Sequence, residues 1–524
     1  MRNWCTKALW VLGVCLLGPG VYAAGDDRLY DRASFVLSDV ILTGSTVISD
    51  AQVRNLAGHL LDRRVTTEDL NRLRHEINGL YQDAGYVTSG VVIPDQPIDN
   101  GVVRFEAVEG VLGEIAVASD GSLKTAYVER RLRDELTGTI RLEDLQAALL
   151  LLERDPLIER LDATLVPSEG FGEARLEVAV EEARHLRLGL SVDNYRPESV
   201  GGEQAAVVFS HASLTGRGDA LAGTLGFSDG DEYGGMSYTL PLPRLRGTLA
   251  LFVQANDSRV VADAFEAIDI ESDTDAWGAS FRYGLLQRPN ARAGLAVGFE
   301  HKHAQTYLLD LPFSLSIGAQ DGQSIASIAT LTLDFSTESA TRAFALRGQY
   351  RAGRDWFGAT AIAGAPDGSF DVAVLQAQAV QRLGAAGPRP VTMRARLEVQ
   401  HTDDALQSFE KYAAGGVRTV RGFRENALLR DEAVLASLEA SVPLTGPERP
   451  LTLTALAFVD AVRAWDNLKL SNAPRAAELA SVGVGVSLTT PWGLAAEVLY
   501  GRHLNRRDLR HAGVHVSLAY RWVH

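Results

Sequence analysis

Residues 481–488 read Ser481-Val482-Gly483-Val484-Gly485-Val486-Ser487-Leu488. Every second side chain is a branched apolar group, and those between are glycine or serine. Successive side chains of a strand point to opposite faces, so the stretch predicts a strand with one apolar face and one small or polar face. The last segment repeats the pattern, with Val514, Val516, Leu518, Tyr520 and Trp522 set against His515, Ser517, Ala519 and Arg521. Leu295, Val297 and Phe299 alternate with Ala296, Gly298 and Glu300 in the same way.

Working outward, sixteen such segments cover residues 185–524, the first near 185, the sixth near 274 and the last near 512. Connections after even-numbered segments are mostly tight: Thr215-Gly216-Arg217-Gly218, Pro243-Arg244-Leu245-Arg246, Arg288-Pro289-Asn290 and Pro491-Trp492. Those after odd-numbered segments are often long, including about 258–273, 309–321, 356–368 and 405–431. A soluble sandwich has no reason for so long and regular an array. An outer-membrane barrel does: the apolar face meets lipid, the polar face lines a lumen, and short periplasmic turns alternate with long outer loops. The expected fold is therefore a membrane all-β one, a 16-stranded antiparallel transmembrane β-barrel over 185–524.

Upstream, the period changes from two to 3.6. Thr66, with Asp69 three residues on, reads as a capping box before a helix carrying Leu70, Leu73, Ile77, Leu80 and Tyr81 on one face. A strand from Phe35, a helix behind Ser49 and Asp50, this helix, a strand over Val87–Ile93 and the alternation of Val103, Phe105 and Ala107 make one module over 35–111. Residues 112–184 repeat the order: Gly113–Ser119, a helix with Val128, Leu132 and Leu136, a helix with Leu145, Leu149 and Leu152, then Leu161/Ala163/Leu165 and Leu176/Val178/Val180. Two small α+β domains thus precede the barrel.

At the N-terminus, Arg2 and Lys7 lead into an apolar run from Ala8 to Leu17, then Gly18-Pro19-Gly20 and Val21-Tyr22-Ala23. This is the order of a secretory signal peptide over residues 1–23. Its apolar run is too short to cross a ~30 Å hydrocarbon core. Both cysteines, Cys5 and Cys15, lie in it, so the remaining 501 of 524 residues carry none. Whole-chain composition hides the membrane reading: mean hydropathy is −0.01, because alternating strands average out.

Charge excludes other classes. With 51 Lys+Arg against 66 Asp+Glu the net is −15, against nucleic-acid binding. No glycine-rich loop with a following Lys-Ser/Thr, no H-E-x-x-H and no G-x-S-x-G occurs, so neither enzyme activity nor a cofactor is expected. Asp229/Asp231/Glu232 and Asp269/Glu271/Asp273/Asp275 read as solvated acidic outer loops rather than metal sites.

Several strings resemble one known family. Leu80-Tyr81, Gly85-Tyr86-Val87-Thr88-Ser89, Ile93-Pro94-Asp95-Gln96 and Val108-Glu109-Gly110 look like a first polypeptide-transport-associated (POTRA) domain. Asp193-Asn194, Leu214–Asp219 and Tyr238-Thr239-Leu240-Pro241-Leu242 look like its first barrel hairpins. Gly415-Gly416 followed by Val420-Arg421-Gly422-Phe423 lies in the longest loop, and Phe458-Val459-Asp460-Ala461-Val462 stands where the family has F-x-D-x-G, with valine for the last glycine. On these strings the chain resembles the two-partner secretion transporters, the haemolysin/haemagglutinin secretion-and-activation family.

The resemblance implies an outer-membrane transporter in a Gram-negative bacterium, with the domains at 35–111 and 112–184 as periplasmic POTRA domains. They would recognise a cognate exoprotein carrying an N-terminal secretion domain, with Gly85, Tyr86, Pro94, Gln96, Glu109 and Gly110 as expected capture residues. The loop at 405–431 would fold inward, its Arg421 anchored on Asp460 beside Phe458. Further expected partners are outer-membrane lipid and lipopolysaccharide, and the barrel-assembly machinery during biogenesis; a monomer is expected. The family commonly has an N-terminal plug helix. Ala24 to Ser34 would reach at most ~16 Å as a helix, too short to fill a lumen, so a plug is expected to be missing. The terminal His524 replaces the usual aromatic residue. Alternatives are a barrel-assembly insertase, which shares the loop motif, and a passive porin, which has no use for capture domains.

Overall fold

The structure, a computed structural model, describes residues 34–523 except 99, 263–267, 363, 385–388, 447, 469–474 and 506–512. The expected signal peptide over residues 1–23, residues 24–33 of the short segment expected not to form a plug, and His524 fall outside these residues. The chain divides into two compact units, 1–183 and 184–524.

The first unit holds two small modules. One runs β1 (Phe35–Leu37), β2 (Asp39–Thr43), α1 (Asp50–Leu56), β3 (Arg63–Val65), α2 (Thr67–Asp83), β4 (Gly90–Val92) and β5 (Val102–Val108). The other runs β6 (Val111–Ser119), α3 (Thr125–Glu135), α4 (Leu142–Glu153), β7 (Ile158–Pro167) and β8 (Glu173–Glu182). Sheet orders are β2-β5-β4 and β6-β8-β7. In each, the first strand pairs parallel with the last, and the strand before it adds antiparallel on the other side.

The capping box at Thr66 and Asp69 starts α2, each side chain accepting from the other's backbone N–H. Its buried stripe of Leu70, Leu73, Ile77 and Tyr81 packs with Val40, Val103 and Phe105. Each such side chain contributes about 1.5–3 kcal/mol of burial. The expected strand over Val87–Ile93 is shorter in the structure. Ser89 N–H donates to the Tyr86 carbonyl, so residues 87–89 turn, and pairing begins at Gly90.

The second unit is a closed antiparallel barrel of sixteen long strands among the described residues, from the first (Leu186–Asp193) to the sixteenth (Val514–Val523), which pair with each other. Val482, Val484 and Val486 of the fourteenth strand (Ala476–Thr489) face outward, while Gly483, Gly485 and Ser487 face the lumen. The outward apolar side chains are 40–58% exposed, which is what a lipid-facing surface looks like in the absence of lipid.

The sixth strand begins at Ile270, four residues before its expected start, and this corrects the reading of the second acidic loop. Glu271 and Asp273 lie in the sixth strand opposite Arg259 and Asp257 of the fifth (Gly247–Arg259), with Arg259 bonded to the Glu271 carboxylate. Cross-strand pairing made a hairpin where charge density suggested a loop. The first acidic group is also less free than expected: Asp231 opens the fourth strand (Asp231–Leu242), buried and paired with Arg196.

Candidate functional site

The segment between the eleventh strand (Val391–His401) and the twelfth (Glu432–Pro443) folds into the lumen. Its stem is a short hairpin, Tyr412–Ala414 paired with Leu428–Arg430. Where the stem opens, Gly415 and Gly416 have φ of +108° and +97°. Only glycine takes that backbone without strain, and a Cβ at Gly415 would stand 2.4 Å from the Arg424 carbonyl oxygen. Gly415 N–H donates to Thr419 Oγ1 (2.8 Å) and Val417 N–H to Glu425 Oε1 (2.7 Å), which closes a compact tip.

Val420, Arg421, Gly422 and Phe423 form that tip, all at most 9% exposed in the three larger side chains. Arg421 reaches the thirteenth strand (Thr452–Trp465). Its Nε donates to Asp460 Oδ2 (2.8 Å), Nη2 to Oδ1 (2.9 Å) and its backbone N–H to Oδ2 (3.1 Å). Ser437 Oγ donates to the same carboxylate (2.6 Å), and Arg421 Nη1 donates to Glu439 Oε2 (2.5 Å). The guanidinium also lies 3.7 Å from the centre of the Phe458 ring. A buried carboxylate thus has its lone pairs filled, and a buried cation meets two acids and an aromatic face.

Gly422 makes the closest approach. A Cβ on it would stand 2.7 Å from the Gly501 carbonyl carbon, and one on Gly501 would stand 2.6 Å from the Arg421 carbonyl oxygen. Gly422 N–H donates to His515 Nε2 (2.9 Å), while its carbonyl accepts from His503 Nε2 (2.6 Å). His515 therefore presents a lone pair at Nε2 and His503 a proton. Phe423 stacks on the His503 ring, centroids 3.7 Å apart and planes at 2°.

Sequence reasoning missed both histidines, because a lone histidine in an alternating strand carries no spacing signal. It also missed a use for Val462. That side chain is 3% exposed and packs with Val420, Phe423, Leu435 and Leu479, so the loop lies on the methyls that replace the glycine.

A second group of loop contacts lies nearer the loop's base. Asp431 accepts from the Leu406 N–H (3.0 Å) and the Asn467 N–H (2.8 Å) and pairs with Lys411 Nζ (3.1 Å). Glu410, its side chain fully enclosed, meets Lys302 Nζ at 2.9 Å and also pairs with Arg351. No local pattern announces these contacts, which join Asp431 to residues 25 and 36 positions away and Glu410 to Lys302, 108 positions away.

The six expected capture residues lie in the first unit, bonded mainly within it. Gly85 closes α2 at φ +86°, and its carbonyl accepts from the Leu142 N–H (2.9 Å). Tyr86 packs on the first module's core. Gln96 brackets β5, its Nε2 donating to the Arg104 carbonyl (2.7 Å) and its Oε1 accepting from the Arg104 N–H (2.8 Å). Pro94 adds a weaker carbonyl contact to the same amide (3.4 Å). Glu109 accepts from Thr46 N–H (2.7 Å), Val47 N–H (3.0 Å), Ser45 Oγ (3.1 Å) and the Thr46 hydroxyl. Burial pushes the Glu109 carboxyl up, but these donors, led by Thr46, outweigh it and hold the acid below its ordinary range. Gly110 donates to Ser89 Oγ (2.9 Å) and accepts from the Ile140 N–H (2.8 Å). Gly85 and Gly110 thus join the first module to the second.

Comparison with known proteins agrees with this architecture. Residues 172–488 match the haemolysin secretion/activation protein family ShlB/FhaC/HecB, and residues 35–110 match the ShlB-type POTRA domain. The chain is similar to the heme/hemopexin transporter protein HuxB of Haemophilus influenzae, at 21% identity over 88% of this chain and 81% of that protein. It is also similar to the outer membrane transporter CdiB-2 of Burkholderia pseudomallei, at 22% identity over 78% and 70%. Among solved structures, CdiB from Escherichia coli superposes with a TM-score of 0.69 at 18% identity, covering 97% of this chain and 93% of that one. BamA from Haemophilus ducreyi lacking POTRA domains 1–3 gives 0.55 at 13%, covering 93% and 100%. With more than half its length matching the family, a closed sixteen-strand barrel and POTRA modules before it, this chain belongs to the haemolysin secretion/activation family of outer-membrane two-partner secretion transporters.

Proposed function

We propose that this chain exports a cognate exoprotein bearing an N-terminal secretion domain, captured by the periplasmic modules and threaded through the barrel. The observation that carries the reading is the inward loop, whose Arg421 is held on Asp460 inside the lumen. A passive porin has no need of two folded modules ahead of its barrel. The shared BamA fold keeps an insertase in view, but the family match over 172–488 favours export.

The six expected capture residues act by shaping the modules, since their polar groups are engaged within the unit. Capture itself falls to the sheet edges, where β4 and β7 each have one strand neighbour and an extended segment can add its backbone. Arg421, Asp460 and Phe458 hold the loop in a transport-competent position and perform no covalent chemistry. The barrel sits as a monomer in outer-membrane lipid and lipopolysaccharide after insertion by the barrel-assembly machinery, and it needs no cofactor.

Arg421→Ala tests the loop's part. Export of the partner should fall at least about tenfold, because removing one member of a buried pair leaves the other charge uncompensated. The barrel itself should still show the heat-modifiable migration of a folded barrel. Undiminished export would remove the loop from the mechanism.

A further inference from the structure

The inward loop touches two sides of the lumen. Its tip contacts the twelfth and thirteenth strands through Glu439 and Asp460, and the fifteenth and sixteenth through His503 and His515. Its descending arm, Leu406–Glu410, goes the other way. Glu410 is held between Lys302 of the seventh strand (Ala291–Leu308) and Arg351 of the ninth (Arg342–Arg354). In a ring of sixteen, the eighth and sixteenth strands stand opposite each other, so the loop bridges the lumen.

The arm is seated as well as charged. Leu406 is buried against Ala326, Ile328, Phe370 and Val372, with Phe409 packed on the same cluster. Ser408 Oγ lies 2.7 Å from Ser316 Oγ of the outer loop after the seventh strand. The two ends differ in kind. The tip is held by backbone against backbone at Gly422 and Gly501 and by a rigid bidentate fork. The charged hold on the arm is Glu410, whose partners Lys302 and Arg351 are long side chains 17% and 15% exposed. The Glu410 and Asp460 carboxylates are both fully enclosed and Arg421 is itself 10% exposed, so what sets the tip apart is its backbone contact at Gly422 and Gly501.

We propose that Glu410 is a releasable latch: undoing its pairs with Lys302 and Arg351 frees the arm and opens the lumen while the Arg421 tip stays fixed. Glu410 is then a positioning residue. The proposal rests on the export reading only where export is measured, and pore conductance judges it independently.

Two variants of the full chain test it in planar bilayers and in secreting cells. Glu410→Gln keeps the shape and removes the charge, and open-pore occupancy should rise roughly tenfold or more. In Ser316→Cys/Ser408→Cys, the paired hydroxyl positions become a disulfide that holds the arm down. The only native cysteines are Cys5 and Cys15, so no other thiol competes within residues 16–524. The oxidised form should conduct poorly and stop export, and reductant should restore both in the same folded molecules. Wild-type conductance from Glu410→Gln, or full export with the arm cross-linked, would overturn the latch. A wild-type chain that conducts but exports nothing would count against the export reading, and the conductance comparison would still decide the latch.

Discussion

At the residue scale, the tip of the inward loop is fixed by what is absent as much as by what is present. Gly422 and Gly501 touch through their backbones, and either Cβ would meet main-chain atoms within 2.7 Å. Main chain gives way less readily than a flexible side chain, so Gly501→Ala should displace the tip though it removes no charge. We expect export to fall as far as with Arg421→Ala while barrel folding is kept; wild-type export would show that the contact is slack. Glu109 makes a different residue-level prediction. Its folded-state acid is strengthened, so its contribution to stability is complete above the ordinary glutamate value of about 4.3 and is lost as pH falls from there through the lower folded-state value. The described α-helices all lie in the first unit, so the helical circular-dichroism signal of the full chain reads this out. Acid unfolding should be steeper in the wild type than in Glu109→Gln.

At the scale of elements, the alternating strands and the stripe of α2 were legible because each depends on near neighbours in sequence. The start of most barrel strands follows from period two, and Thr66 with Asp69 marks the start of α2. Thr66→Val removes one half of that capping box, which costs about 1 kcal/mol. Amide hydrogen exchange in the first turns of α2 should accelerate roughly fivefold, and unchanged exchange would mean that tertiary packing alone sets the helix start. The sixth strand was read too short because Glu271, Ser272 and Asp273, behind Ile270, lack apolar alternation. Their pairing comes from the fifth strand, which a local pattern does not contain. The same limit hid Glu410, since its partners Lys302 and Arg351 are brought to it only by closure of the barrel. Arg421 and Asp460 were found through resemblance to a family; spacing alone left Arg421 one loop arginine among many.

At the scale of the whole molecule, composition and architecture point in opposite directions. A chain of mean hydropathy −0.01 builds a lipid-facing wall because its apolar groups are sorted by face rather than by stretch. A charge on that wall is therefore costly where the same charge in the lumen is ordinary. Val484, on the outer face of the fourteenth strand, is 58% exposed to the space lipid fills. Val484→Arg should lower barrel stability in bilayers by about 2–4 kcal/mol near the membrane centre. Reversible denaturant unfolding into lipid vesicles measures it, and a loss below about 1 kcal/mol would place the residue at the interface instead.

The clamp on Gly422 also has a consequence in time. The loop is synthesised before Asp460, His503 and His515, and the last of these belongs to the strand that closes the ring against the first. The tip is therefore made early and can be seated only late. A newly made chain lacks the completed clamp until its final strand is placed, so a docked loop is a record that assembly has finished. Damage to the last strand would then leave a transporter whose clamp on Gly422 is incomplete even where Arg421 meets Asp460, a defect of function with the loop's own sequence intact.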